Sequence, residues 1–500
     1  MDTMDREQDL LLKALLGRSE VYDLTGKNIE AMKDCEKGRI LSQQSGDKEY
    51  LAKYLILLSG LYGSTGKYHE MSNTARQALL IYNKLKDQKG IAASLDIVGF
   101  VYDQLGKYRK ALVYYQRSLK ARAMIDDRSG QGITLNNIGI IYNHLGDFPR
   151  ALVYYHRSLK IFKKIDDRRF QAVTLNNIGN MFDDIGEYRK ALEYLNKSIK
   201  IREAIGYRQG QGICLNNIAI QFARLGSYRK AIECCNKAME IRKEVGDRRG
   251  QGVTLANIGF YHEQLGSYRK ALAYYAKSLK ILKEIGERSG QGAIINNTGF
   301  VYYRLGDCRK ALTYFERSLK IREDINDRPG RCATLNNMGK VYLGLGDLKN
   351  ARAYLVNAEK IALGIKEKEL RQRIAVSLGE LAFKEAKEKG MERARLYAEE
   401  ALRLAEVLKL KAGRAEALLL QARINLAKGK GPRAESRFKE AISIFEELKL
   451  PFDIARVYYY YAKSIGHRAE GKEYLKKAKE IFKKLGAKGW LSKIRDFHPE

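Results

Sequence analysis

Few side chains in this 500-residue chain have the types and spacing that chemistry requires. The paired carboxylates Asp126-Asp127 and Asp166-Asp167 suggest an acid–base couple, but each pair sits at a junction between helical patterns, where capping explains it. The six histidines (69, 144, 156, 262, 467 and 498) form no metal spacing, and His262 replaces a Tyr142-type core residue. No Ser/His/Asp or Cys/His set converges. Cys35, Cys214, Cys234, Cys235, Cys308 and Cys332 lack Cys-x-x-Cys spacing and read as free thiols of a reducing compartment. Gly130-Gln-Gly132 and its copies at 210, 250 and 290 lack the preceding strand and following Lys-Ser/Thr of a phosphate loop, and read as close helix packing. An enzyme is therefore not expected, nor a cofactor or a metal. What does recur is an amide. Leu135-Asn-Asn-Ile-Gly139 returns as Leu175-Asn-Asn-Ile-Gly179, Leu215-Asn-Asn-Ile218, Leu255-Ala-Asn-Ile-Gly259, Ile295-Asn-Asn-Thr-Gly299 and Leu335-Asn-Asn-Met-Gly339, all in one unbroken register.

A strict period of this length means a stack of small units, each buried by its neighbours. In residues 128–167, Leu135, Ile138, Ile141, Tyr142 and Leu145 follow the 3–4 spacing of an amphipathic helix. Gly146-Asp147 turns the chain, and Phe148, Ala151, Leu152, Tyr155, Leu159 and Phe162 mark a second helix. Gly139 and Ala151 are small where two axes must approach. With the turn glycine as ruler, Gly26, Gly66, Gly106, Gly146, Gly186, Gly226, Gly266, Gly306 and Gly346 place nine units across 8–367, after an extension at 1–7. From 368 to 500 the register is lost, but three divergent helix pairs (371–409, 412–448 and 452–485) and a short capping helix with Trp490, Leu491 and Ile494 are expected.

Leu135, Ile138, Gly139, Tyr142, Ala151 and Tyr155 resemble the tetratricopeptide pattern, with Ser158 in place of its later small Ala. The 40-residue spacing is similar to that of Pins-type and kinesin-light-chain-like arrays and bacterial tetratricopeptide signalling proteins. The resemblance implies an all-α, right-handed α-α superhelix of about twelve helix pairs, with first helices on the concave face. It places Ile133, Asn136, Asn137, Ile140, Asn143 and His144 on that face. It also implies that a row of amides (Asn136, Asn137, Asn176, Asn177, Asn216, Asn217, Asn257, Asn296, Asn297, Asn336 and Asn337) holds the main chain of an extended ligand. A carboxamide donates and accepts at once, matching a peptide's N–H and C=O. Selectivity would fall to Ile140, Asn180, Ile220, Phe260, Phe300 and Lys340. The competing reading is that the Asn side chains cap loops or bond the adjacent repeat's backbone.

The formal charge of +33 admits acidic partners. It is spread evenly, at +2 to +4 per unit from 128 to 327, and is densest at 472–495. Arg150, Arg157, Lys160, Lys163 and Lys164 fall on a second helix, away from the groove, while Arg224, Arg304 and Lys340 add scattered inner charge. The expected function is a protein-interaction scaffold for an extended peptide or disordered segment, acidic ones included. The first alternative is an RNA-binding helical repeat that stacks bases on Phe260, Phe300 and Tyr303 beside Arg304. The second is a sensory array of a bacterial signalling system. The acidic start carries no secretory signal pattern, and no apolar run approaches the length of a membrane-spanning helix. A cytoplasmic location without membrane insertion is therefore expected.

Overall fold

The computed structural model describes residues 3–24, 28–365, 367–385, 388–466 and 469–496. Gly26, His467 and His498 lie outside them. Among the described residues there are 25 helices and no strand, and consecutive helices pack as antiparallel pairs. The fold of the described residues is all-α, a succession of helix pairs divided into two compact units: residues 1–181 with 200–205, and residues 182–199 with 206–500.

The first unit contains α1 (Thr3–Leu24), α2 (Asn28–Gln44), α3 (Lys48–Ser64), α4 (Tyr68–Leu85), α5 (Gln88–Gln104), α6 (Tyr108–Met124), α7 (Arg128–His144), α8 (Phe148–Lys164) and most of α9 (Arg168–Asp184). The glycines and serines explain how closely its helices pack. A Cβ on Gly139 would lie 2.7 Å from the Tyr155 ring, and one on Gly132 would lie 2.7 Å from that of Phe162. The Ser158 hydroxyl, fully buried, donates to the Gly132 carbonyl at 2.8 Å. The departure from Ala at this position therefore adds a bond between the helices of one pair. At the junctions the two carboxylates divide the work. Asp126 takes the left-handed backbone (φ 49°) that ends α6, and Asp127 accepts from the Gly130 N–H at the start of α7.

The second unit holds the first turns of α10 (Tyr188–Ala204), then α11 (Arg208–Arg224), α12 (Tyr228–Glu244), α13 (Arg248–Gln264), α14 (Tyr268–Glu284), α15 (Arg288–Leu305), α16 (Cys308–Asp324), α17 (Arg328–Leu345) and α18 (Leu348–Ile365). It continues through α19 (Lys368–Lys384), α20 (Glu388–Val407), α21 (Lys411–Ala427), α22 (Gly431–Glu447), α23 (Pro451–Ile465), α24 (Ala469–Leu485) and α25 (Lys488–Arg495).

Here the expectation that each pair is buried only by its neighbours fails. The turns between first and second helices meet the turns of the last pairs, several repeats further along the chain. A Cβ on Gly226 would lie 3.2 Å from Leu448 Cα, and one on Gly306 would lie 2.6 Å from the Gly489 nitrogen. One apolar cluster joins Tyr228, Tyr261 and Tyr268 to Leu448, Phe452, Phe482 and Leu485. Stacked pairs leave an apolar Leu-Gly turn along each edge, and in this unit the chain covers that edge with its own later turns. The helix bearing Trp490 thus does more than close an end: Trp490 stacks on Phe482 at 5.1 Å and meets Phe452 edge-on.

Candidate functional site

The recurrent asparagines lie on first helices, at positions that face the first helix of the next repeat. The leading member of each pair is buried: Asn136, Asn176, Asn216, Asn296 and Asn336. The trailing member is half-buried at 137, 177, 217, 257 and 297, and buried at Asn337. Asn177 Nδ2 donates to Asn136 Oδ1 at 3.1 Å, Asn257 to Asn216 at 3.0 Å and Asn337 to Asn296 at 3.2 Å. The side chains thus form rungs between repeats, each joining a residue to one 41 positions later. Asn296 Nδ2 also lies 3.4 Å from Asn297 Oδ1. Among the described residues Asn137 has no side-chain partner; the residue one rung back is Asp96, which accepts from Arg122 at 2.7 Å and from Thr134.

The same offset arranges charge. In the first unit His144 Nδ1 lies 2.9 Å from Asp103 Oδ1. In the second, Arg224 lies 3.7 Å from Asp183, and Arg304 lies 4.0 Å from Glu263. Base and acid come from consecutive first helices, so Arg224 and Arg304 meet a counter-charge in place and His144 meets a carboxylate partner. Spacing alone could have revealed this, since every pair is visible as an acid and a base 41 positions apart.

The positions assigned to selectivity divide by unit. In the first, Ile140 is half-buried and Asn180 exposed. Phe100, one period before Ile140 and missed in the sequence, is 39% exposed. With Asn137 and Asn177 these residues make a strip of apolar and amide groups across α5, α7 and α9.

In the second unit Ile220 and Phe300 are half-buried and Phe260 is 41% exposed, but the charged members are enclosed. Arg304 is buried between Glu263 and Asp453, the latter 3.6 Å away on α23, and its guanidinium covers the Phe452 ring at 4.7 Å and the Phe300 ring at 5.1 Å. Burial alone would lower its pKa, but Asp453, Tyr268 and Glu263 hold it above the ordinary value. Burial pushes Glu263 up, opposed by Arg304 and by the Tyr275 hydroxyl, which donates to it at 2.8 Å. Arg456 pairs with Glu416 and lies 3.5 Å from Asp453, and Arg423 lies 3.1 Å from Glu380. Lys340 sits half-buried among Glu416, Glu380, Arg373 and Arg456, and burial lowers its pKa to about 8. Arg304, Arg456 and Arg423 each have a counter-charge from the chain. Of the set expected to stack and neutralise nucleic acid, Arg304 is engaged by Asp453 and Phe452 of α23, Phe300 and Tyr303 are half-buried, and Phe260 is exposed. Among the described residues no helix is long and apolar enough to cross a membrane.

Two tetratricopeptide repeat family models match the sequence, one at residues 131–204, 213–284 and 291–363 and another at 92–123, together about half of the chain. No curated protein matches it. Solved structures with similar helical repeats include yeast Tom70 (13% identity, 98% of this chain and 100% of that one, TM-score 0.44). Others are the quorum sensor NprR from B. thuringiensis (17%, 73% and 99%, 0.46) and BtubC from P. vanneervenii (20%, 47% and 92%, 0.36). With the period, the paired helices and the matched models in agreement, the chain belongs to the tetratricopeptide repeat family.

Proposed function

We propose that this chain is a protein-interaction scaffold that takes an extended peptide on the first-helix face of its first unit, over α5, α7 and α9. The observation that carries this reading is the strip formed by Phe100, Asn137, Ile140, Asn177 and Asn180, open to solvent in part and flanked by charges already paired with one another. Asn137 offers a whole carboxamide to a peptide unit. Asn177 spends one of two N–H groups on its rung and keeps its carbonyl for a ligand. Phe100 and Ile140 supply apolar contact on either side, as an anchor residue requires. In the second unit the equivalent charged positions serve the fold, so the site is confined to the first. The paired charges favour a ligand anchored by apolar side chains over one chosen for acidity.

The test uses peptides selected by display against the full chain, with binding read by fluorescence anisotropy. Phe100→Asp combined with Asn137→Ala should weaken binding at least about tenfold, from a lost apolar anchor and hydrogen bonds of about 0.5–1.5 kcal/mol each. Val153→Asp, on the outer face of α8 and 56% exposed, should change nothing. Peptides that bind the double variant like the parent chain would remove this face from consideration.

A further inference from the structure

The second unit contains a feature that the scaffold reading does not use: an open cleft of about 690 Å³ between α20 and α22, floored by α21. Its size falls among the clefts that hold small ligands, typically about 300–1,000 Å³. Arg395, Lys428, Lys430, Arg433 and Arg437 line it, against the single carboxylate of Glu399. Arg395 is matched by Glu392 and Glu399 at 2.6 and 2.9 Å, and Arg437 by Glu440 at 3.1 Å. Lys428 comes no nearer than 3.9 Å to Glu392, and among the described residues Lys430 and Arg433 have no acidic partner.

The backbone adds to this excess. Lys430 is the N-cap of α22 and its side chain accepts no bond from the helix start, whereas α8 and α16 open with the Asp147 and Asp307 side chains accepting from their first turns. Cations at a helix N-terminus oppose the helix dipole, which favours negative charge there. Lys430 and Arg433 at this end, with Arg437 one turn further, therefore leave positive charge that an anion would relieve. Arginines four residues apart share one helix face, and their planar forks match phosphate oxygens. Gln421, Asn425 and Ser436 add neutral hydrogen-bonding groups to the walls.

We infer that this cleft binds a small oligophosphate, a compound carrying two or more linked phosphates, with Lys430, Arg433 and Lys428 as its principal contacts. The limited volume of the cleft between two helices, with Ala398 and Ile424 in the lining, suits a compact ligand better than a long chain. A nucleotide and a bare oligophosphate share the chemistry that these residues recognise.

Titration calorimetry of the full chain with inorganic tripolyphosphate and with ATP, at about 0.15 M salt so that loose surface attraction is screened, decides the matter. Saturable one-to-one binding is expected. Lys430→Ala with Arg433→Ala should weaken it at least tenfold while leaving the circular dichroism unchanged. Lys110→Ala with Arg117→Ala removes the same charge from the exposed face of α6 and should leave binding intact. ATP binding tighter than tripolyphosphate assigns a nucleotide, and equal affinities assign the phosphates alone. No saturable binding, or equal losses in the two double variants, would overturn the inference, because the attraction would then be that of net charge.

Discussion

The docking of the last helices onto the repeat edge can be tested at three glycines that share one backbone conformation. Gly106, Gly306 and Gly346 all close a first-to-second helix turn in the left-handed region, at φ 67°, 89° and 83°. Alanine at any of them incurs the cost of a side chain in that region, about 1–2 kcal/mol. Their surroundings differ. Around Gly106 and Gly346 an added Cβ meets nothing within 4 Å, whereas at Gly306 it would lie 2.6 Å from the nitrogen and 2.8 Å from the Cα of Gly489. These are backbone atoms at the start of α25, which cannot swing aside as a side chain could. Gly306→Ala must therefore displace the helix, adding the cost of overpacking, about 1–3 kcal/mol. The expected total is about 2–5 kcal/mol for Gly306→Ala against about 1–2 kcal/mol for the other two. The chain supplies its own probe, because Trp490 is its only tryptophan and sits in α25 against Phe452 and Phe482. Urea unfolding gives the stabilities, and tryptophan emission in native buffer reports the docking. Gly306→Ala should shift that emission to the red, and Gly106→Ala and Gly346→Ala should not. Equal stability losses with unchanged emission in all three would refute the packing of α25 on this edge.

Two further outcomes follow from buried polar groups. Asn257→Ala should lower the melting temperature, at a cost of about 1–3 kcal/mol, because the Asn216 carbonyl is left buried without its donor, even though alanine favours the helix; a variant as stable as the parent would show that the rungs contribute nothing. Lys340, lowered to about 8 by burial and by Arg373 and Arg456 against the opposing pull of Glu416 and Glu380, sheds its proton in the folded state before the unfolded chain does. Between about pH 8 and its ordinary 10.5 the unfolded state holds more protons, so this lysine's penalty fades as pH rises. Lys340→Met should stabilise the chain at pH 7, with a gain that shrinks across that window; a gain independent of pH would contradict the assignment.

The helices, their turns and the pairing of first with second helices were legible because each unit repeats one 3–4 pattern, with glycine where the backbone must turn left-handed. The asparagine row was legible as a row, and bonding to the adjacent repeat was one of its readings, but the side-chain pairing itself was not legible. Matching Asn137 with Asn177 suggested equivalent side chains facing a common ligand, whereas the rungs join Asn177 to Asn136, one residue out of step, because of the way neighbouring first helices are set side by side. The inner cations show a similar limit. Arg304 reads as isolated charge within its own unit, yet its partners are Glu263, one repeat back, and Asp453, far along the chain on α23. The first lies within reach of pattern; the second depends on where the chain returns, which no local spacing encodes.

Repeat arrays ordinarily change length by gaining or losing whole units, since each new copy presents the same faces as the old. The interlocked edge of the second unit removes that freedom. Inserting one further copy of the repeat between Gly306 and Lys411 would move the last helix pairs on by one position in the stack. Another Leu-Gly turn would meet them, but Asp453 would no longer face Arg304, nor Gly489 the bare backbone of Gly306. The unit count in this stretch is fixed by residues that do not repeat, so inheritance here should favour substitution over duplication.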